Sequence, residues 1–225
     1  MKRRWYFLPL AILLVCVVAA FAVRGTYADI SGDIDSCTYA ASYDFTKAVE
    51  TLGESDFSKV PQALYDGADI VVEGTCTGRS ITPNAWFESF SVEKVHKGDA
   101  SLSGQTLQIL EELTLFVNVK NINTMMSAYL PLQEGERYLL LLKKVEFLPE
   151  RHLTAFQESQ YYPYTESALA ALHITPERQE KTFDISARWK LGDFAGCDVP
   201  AGNATVLEQY EGVRSALFSM CGVTV

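Results

Sequence analysis

The sequence predicts an α+β protein, and three observations carry that expectation: apolar residues recur at every second position in the centre, recur at three- and four-residue spacing towards both ends, and fill a charge-free run near the start. With 225 residues, of which 48% are hydrophobic and 21% charged, the chain has enough apolar side chains to bury one domain-sized core. An aromatic content of 12% argues against a low-complexity or fibrous chain.

The apolar run comes first. Lys2, Arg3 and Arg4 precede residues 5–23, which carry no charge. As a helix that run would reach about 28 Å at ~1.5 Å per residue, close to the thickness of a bilayer core. Three basic residues before it, against Arg24 after it, orient the N-terminus to the cytoplasm and the bulk of the chain outward. The run is longer than the usual ~7–15 residue core of a signal peptide, which favours a retained single-pass anchor. Ala20-Phe21-Ala22 and Thr26-Tyr27-Ala28 have the small-x-small form of a cleavage site, so secretion after cleavage is the alternative. Cys16, with Val15 before it and apolar residues after it, reads as a membrane residue rather than a lipid-attachment site.

Setting aside Lys2, Arg3, Arg4 and Arg24 leaves 15 basic against 28 acidic residues, a balance near −13 for the outward part. Nucleic acid, which is bound by neutralising phosphates with Lys and Arg, is excluded as a partner by charge and by compartment. Beyond Cys16 stand Cys37, Cys76, Cys197 and Cys221, an even number that permits two disulfides outside the cell. Three pairings exist. Cys37 with Cys76 and Cys197 with Cys221 close moderate loops, while buried thiols remain the other reading.

Residues 1–24 form the stub and membrane or signal segment, 25–42 a small, polar tether, and 43–225 the extracytoplasmic domain. Asp29, Asp33 and Asp35 cluster in the tether, but Ala40 stands where an EF-hand needs its glutamate, so the cluster reads as a solvated linker. A helix over 44–52 is expected from Phe45, Ala48, Val49 and Leu52, with Gly53 as its cap. A second covers 61–66, with Pro61 in the first turn and Gly67 at the end.

Strands follow. Ile70, Val72, Gly74 and Cys76 share one face of 68–78; Trp86, Glu88, Phe90 and Val92 share one face of the next segment. The turn residues His96, Lys97, Gly98 and Asp99 lead to a strand over 105–110, and Leu113, Leu115, Val117 and Val119 mark another. Residues 138–142 are apolar without alternation, as in a central strand covered on both sides. Residues 152–156 are expected to add one strand. Thr165 would cap a helix carrying Leu169, Ala170 and Leu172, and Thr205 with Glu208 a capping box for a last helix along Val206, Tyr210, Val213, Leu217 and Met220.

The segments ADIVVEGT at 68–75, FSVEKVHKGD at 90–99, GQTLQIL at 104–110 and PLQEGERYLLLLKK at 131–144 resemble a pattern in uncharacterised exported proteins of Gram-positive bacteria. Those proteins are similar to the netrin-like, or tissue-inhibitor-of-metalloproteinase-like, group. The resemblance covers about 68–144 and implies a five-stranded OB-type barrel with flanking helices; read from the residues, the barrel core extends over about 68–157 and a helical region over about 165–221. It also departs from the group. The metalloproteinase inhibitors chelate zinc through the free amine of an N-terminal cysteine, whereas Cys37 lies well beyond either cleavage point.

Catalytic signatures are sparse. His96, His152 and His173 are isolated and read as surface or loop residues; no H-E-x-x-H, nucleophile elbow, P-loop or dinucleotide fingerprint occurs. Glu111 and Glu112 adjoin, but neighbours in a strand point to opposite faces, so they read as a solvated strand end. No catalytic, cofactor or metal residue is therefore assigned. Two surfaces are candidates for binding: Tyr161, Tyr162 and Tyr164 around Pro163, and a connection over 121–129 holding Met125 and Met126. The sequence thus leads to a membrane-held extracytoplasmic module binding a protein or cell-wall partner. A hydrolase with a dispersed active site, or a protease inhibitor, is the alternative. Val72, Phe90, Leu107 and Leu140 are expected in one core, with Lys97 and Asp99 in a tolerant turn.

Overall fold

The computed structural model describes residues 7–24, 34–41, 45–82, 85–111, 114–117, 122–127, 129–148, 152–165, 167–175, 182–184 and 186–225. Helix α1 is Phe7–Arg24, 18 residues or about 27 Å long. Among the described residues no helix is long and apolar enough to cross a membrane, which departs from the spanning segment expected over 5–23. Its side chains from Ile12 to Val23 are exposed.

The body combines a closed barrel, a smaller sheet and a helical layer. The barrel strands are β2 (Ile70–Thr82), β3 (Ala85–Lys97), β4 (Thr106–Glu111), β7 (Arg137–Lys144) and β8 (Gln160–Pro163). They run in the order β2-β3-β4-β8-β7, and β7 returns to β2 and closes the ring. Only β4 and β8 pair in parallel; the other neighbours are antiparallel. This mixed five-stranded closure is consistent with an OB-fold. A three-residue strand, β9 (Ala171–His173), lies on β7 beyond β8.

The smaller sheet takes β1 (Thr38–Ala41), β5 (Thr114–Val117), β6 (Ile122–Ser127) and β10 (Trp189–Lys190), in the order β10-β1-β6-β5. Chain expected as a tether over 25–42 thus contributes a buried Ile34 and a strand from residue 34 onward. Helices α2 (Thr46–Thr51), α3 (Val60–Gly67) and α5 (Ala204–Cys221) cover one outer face of the barrel, and α4 (Ala155–Glu158) is a single turn.

Strand β7 shows why alternation fails in the sequence. Tyr138, Leu140 and Leu142 point into the barrel, whereas Leu139 and Leu141 pack under the helices. Both faces are dry, so both are apolar. Val72, Phe90, Leu107 and Leu140 share the barrel core as expected.

Several boundaries differ from expectation. Residues 155–158 are helical, because Thr154 and Gln157 form a capping box, and the fifth barrel strand lies at Gln160–Pro163. Ser167 caps a 3-10 turn at Ala168–Ala170 that leads into β9, in place of a helix from Thr165. Asn203, whose side chain accepts from the Val206 amide, caps α5 in place of Thr205. Lys97 is no idle turn residue: its ammonium donates to the carbonyls of Tyr65, Asp66 and Ala68, closing the C-terminus of α3. At that same end Gly67 leaves the space that the Tyr164 ring occupies.

Candidate functional site

The segment 129–133, between β6 and β7, is held from four elements at once. The Tyr39 hydroxyl of β1 donates to the Tyr129 carbonyl at 2.7 Å. Arg79 of β2 donates through Nη2 to the Leu132 carbonyl at 2.8 Å, and the Leu132 amide approaches Glu111 Oε1 of β4 at 3.5 Å. The Gln133 amide donates to the Tyr138 hydroxyl of β7 at 2.8 Å. Leu130, Pro131 and Gln133 of this segment, with Asp35, Arg79, Glu134, Leu191, Gly192, Phe194 and Ala195, line a cleft of about 310 Å³.

Behind Arg79 lies a buried carboxyl cluster. Glu88, fully buried in β3, accepts from Arg79 Nε at 2.6 Å and from the Trp86 indole at 2.7 Å, while Cys76 Sγ stands 3.7 Å from its other oxygen. The Arg79 guanidinium also lies 4.5 Å over the Trp86 ring. Register explains the convergence. Trp86 pairs with Glu111 and Glu88 is two positions on, so Trp86 and Glu88 share a face.

Glu111 is 4% exposed, and its Oε2 has no hydrogen-bond partner. Burial raises its pKa to about 8, opposed by the Tyr129 hydrogen bond and reinforced by the nearby Glu88 charge. Burial likewise raises Glu88, against the pull of Arg79 and Trp86, and pushes the Cys76 thiol up to about 12. The solvated strand end expected at Glu111 is therefore wrong, because the chain at 129–133 folds over it.

A second cluster flanks Cys76 on the other side. His173 of β9 holds Asp198 Oδ1 at Nδ1 and Glu136 Oε2 at Nε2, each at 3.0 Å. Tyr138 stacks on its ring at 4.8 Å, and burial raises the tyrosine pKa. For His173 burial acts downward, but the hydrogen bonds and charges of Asp198 and Glu136 outweigh it and raise the pKa. The loop reading of His173 is thus replaced by a buried position between two carboxylates. His96 is also engaged, with Glu73 at 3.1 Å. His152 is exposed.

The residues expected to bind are placed differently. Tyr161 is buried in the barrel core with Lys144 over its ring at 4.4 Å, and Tyr164 packs under the helical layer. Tyr162 is half-buried on β8. Met125 and Met126 belong to strand β6 rather than a loop, and their side chains lie outside the described residues. The three tyrosines do not line the cleft. The described residues hold no disulfide: Cys76 lies in the barrel core, Cys197 beside Phe194, and Cys221 under the helical layer, so neither favoured pairing is formed. Among the described residues no group of three His, Cys, Asp or Glu could hold a metal ion.

No known protein family matches the chain, and no curated protein does.

The cleft escaped sequence reading because its walls come from residues 35, 79, 130, 131, 133, 134, 191, 192, 194 and 195, far apart in the chain. One signal was present. Glu88 sits in phase with Trp86, Phe90 and Val92, and a carboxylate on an apolar strand face demands a cation or a proton.

Proposed function

We propose that this chain is an extracytoplasmic binding module, held at the membrane by its N-terminal segment and taking a protein or cell-wall partner at the cleft beside Arg79. One observation carries the reading: the barrel interior is filled by Val72, Phe90, Leu107, Leu140 and their neighbours, whereas the cleft is open and joins an apolar floor to polar walls. Leu191 and Ala195 supply apolar contact area over the buried Leu130 and Phe194; Arg79, Gln133 and the two carboxylates Asp35 and Glu134 supply orientation. Membrane attachment is supported by the exposed apolar side chains of α1, among them Leu13, Leu14, Val15 and Phe21, which water would not leave uncovered. The strand order is consistent with an OB-type barrel, the fold that the resemblance to the netrin-like group implies, although that group's N-terminal cysteine chemistry has no counterpart in the buried Cys37.

Photo-crosslinking of the full chain in intact cells tests the binding site. A crosslinker at Gln133 should trap a partner that one at Ser101, in the exposed 3-10 turn after β3, does not. Equal adducts at both positions, or none at Gln133, would remove the cleft as the site. Alkaline extraction should leave the chain in the membrane, and mass spectrometry should find an intact N-terminus; a start near Val23 or Asp29 would replace the anchor with a cleaved leader.

A second reading has one observation in its favour. Glu111 stays protonated near neutrality, as a general acid must. Against it, Glu111 is fully enclosed and Arg79 stands between Glu88 and the cleft, so a hydrolase would have to open this wall to reach either carboxyl.

A further inference from the structure

The cleft is lined by three charged side chains, and they differ in what already holds them. Arg79 is fixed from three directions: its Nε donates to the buried Glu88, its Nη2 donates to the Leu132 carbonyl, and the guanidinium lies over the Trp86 ring. None of these contacts uses Nη1. Among the described residues Nη1 has no acceptor, so it keeps two N–H donors for a further partner. Asp35 and Glu134 are exposed, and among the described residues neither carboxylate has a hydrogen-bond or ion-pair partner.

Position relates the three. Arg79 Nη2 sits at the Leu132 carbonyl and Glu134 stands two residues further on, a step of at most ~7 Å along the chain. Asp35 comes from the 3-10 turn before β1, packed so closely on Gly192 that a Cβ there would stand 3.2 Å from the Asp35 carbonyl oxygen. Leu191 and Ala195 add apolar surface. At about 310 Å³ the cleft lies at the small end of ligand sites, roughly 300–1,000 Å³, so it admits a group the size of one residue rather than a folded surface. A wholly anionic group would meet two carboxylates there. A wholly cationic one would leave the Nη1 donors unused.

The geometry points to a zwitterionic chain end as the ligand: a C-terminal residue with a cationic side chain, its free carboxylate on Arg79 Nη1 and its ammonium or guanidinium beside Glu134 and Asp35. An extended lysine separates its two charges by about the same ~7 Å step. Glu88 offsets the charge of Arg79, so directed N–H bonds rather than a positive field hold the carboxylate, while the two acids attract the cation. The aliphatic stem lies over Leu191 and Ala195. The ligand so assigned requires the cleft to be the binding site.

Titration of the full-length chain in detergent, followed by NMR at the Gln133 side-chain amide, tests it with three probes. Nα-acetyl-lysine carries both charges, Nα-acetyl-lysinamide only the cation, and Nα-acetyl-norleucine only the carboxylate. The first should bind about tenfold or more tightly than either of the others. Glu134→Gln combined with Asp35→Asn, at exposed positions that folding tolerates, should weaken Nα-acetyl-lysine by about tenfold and leave Nα-acetyl-norleucine no weaker. Free lysine should bind no tighter than its acetylated form, because a chain end has no α-ammonium. The assignment is overturned if the acid and the amide bind equally, if the double variant changes nothing, if free lysine is preferred, or if no probe binds. A partner crosslinked at Gln133 with no probe bound would sink the zwitterion and leave the cleft standing, whereas loss of both would remove the cleft itself.

Discussion

The two ionisable clusters on either side of Cys76 solve one problem in opposite ways. Around Glu88 and Glu111 two buried carboxyls share a single guanidinium, and the deficit is met by keeping Glu111 protonated. Around His173 two carboxylates share one imidazole, and their hydrogen bonds and charges raise its pKa against the downward effect of burial. The first cluster is sealed behind Arg79 and Leu132. The second reaches solvent through Glu136, which makes it the one able to respond. Both draw protons into the folded state, so an acidic domain near −13 carries its surplus negative charge outside the core.

The largest expected effect lies in the barrel core that both clusters border. Leu140→Ala empties a fully buried position of β7 and should cost about 2–5 kcal/mol in a denaturant titration. A loss below ~1 kcal/mol would mean that β7 is not a central strand of the barrel.

Arg79→Met separates the clusters next. It strands Glu88 without its cation and should cost about 2–3 kcal/mol at pH 7, less near pH 5, where Glu88 takes up a proton instead. The His173 titration should not move. If it does, the clusters are one network.

The pH dependence of stability distinguishes them further. Folded pKa values of Glu111 and His173 are raised, so their contributions are fully present below the unfolded values and fade as pH rises through the folded ones. Glu111→Gln should therefore flatten the fall in stability between about pH 4.5 and 8, whereas His173→Gln should change the slope only above about pH 6.5. Identical pH profiles for the two variants would deny the distinction.

The smallest effect lies at the barrel's far turn. Lys97→Ala removes three charge-assisted bonds to the end of α3 and should cost about 1 kcal/mol, against less than ~0.5 for Ser101→Ala. Equal values would show that this lysine is solvated and the helix end self-sufficient.

What was legible in the sequence was whatever local periodicity records. Strands β2, β3, β4 and β7 announce themselves because each alternates or is apolar on both faces, and helices α3 and α5 because proline, glycine and spaced aliphatics mark their limits. The apolar start and the acidic remainder are equally plain, since they need only counting. Strand β8 was hidden, because four residues around Pro163 become a strand only through parallel pairing with β4 and antiparallel pairing with β7. Tertiary structure alone decided that Glu111 would be sealed while Glu136 stayed half exposed. It alone brought Asp198 and Glu136 to one imidazole across 25 and 37 residues of chain. A proton's affinity depends on burial and on neighbouring charges, and both are set by contacts between segments that no local pattern relates.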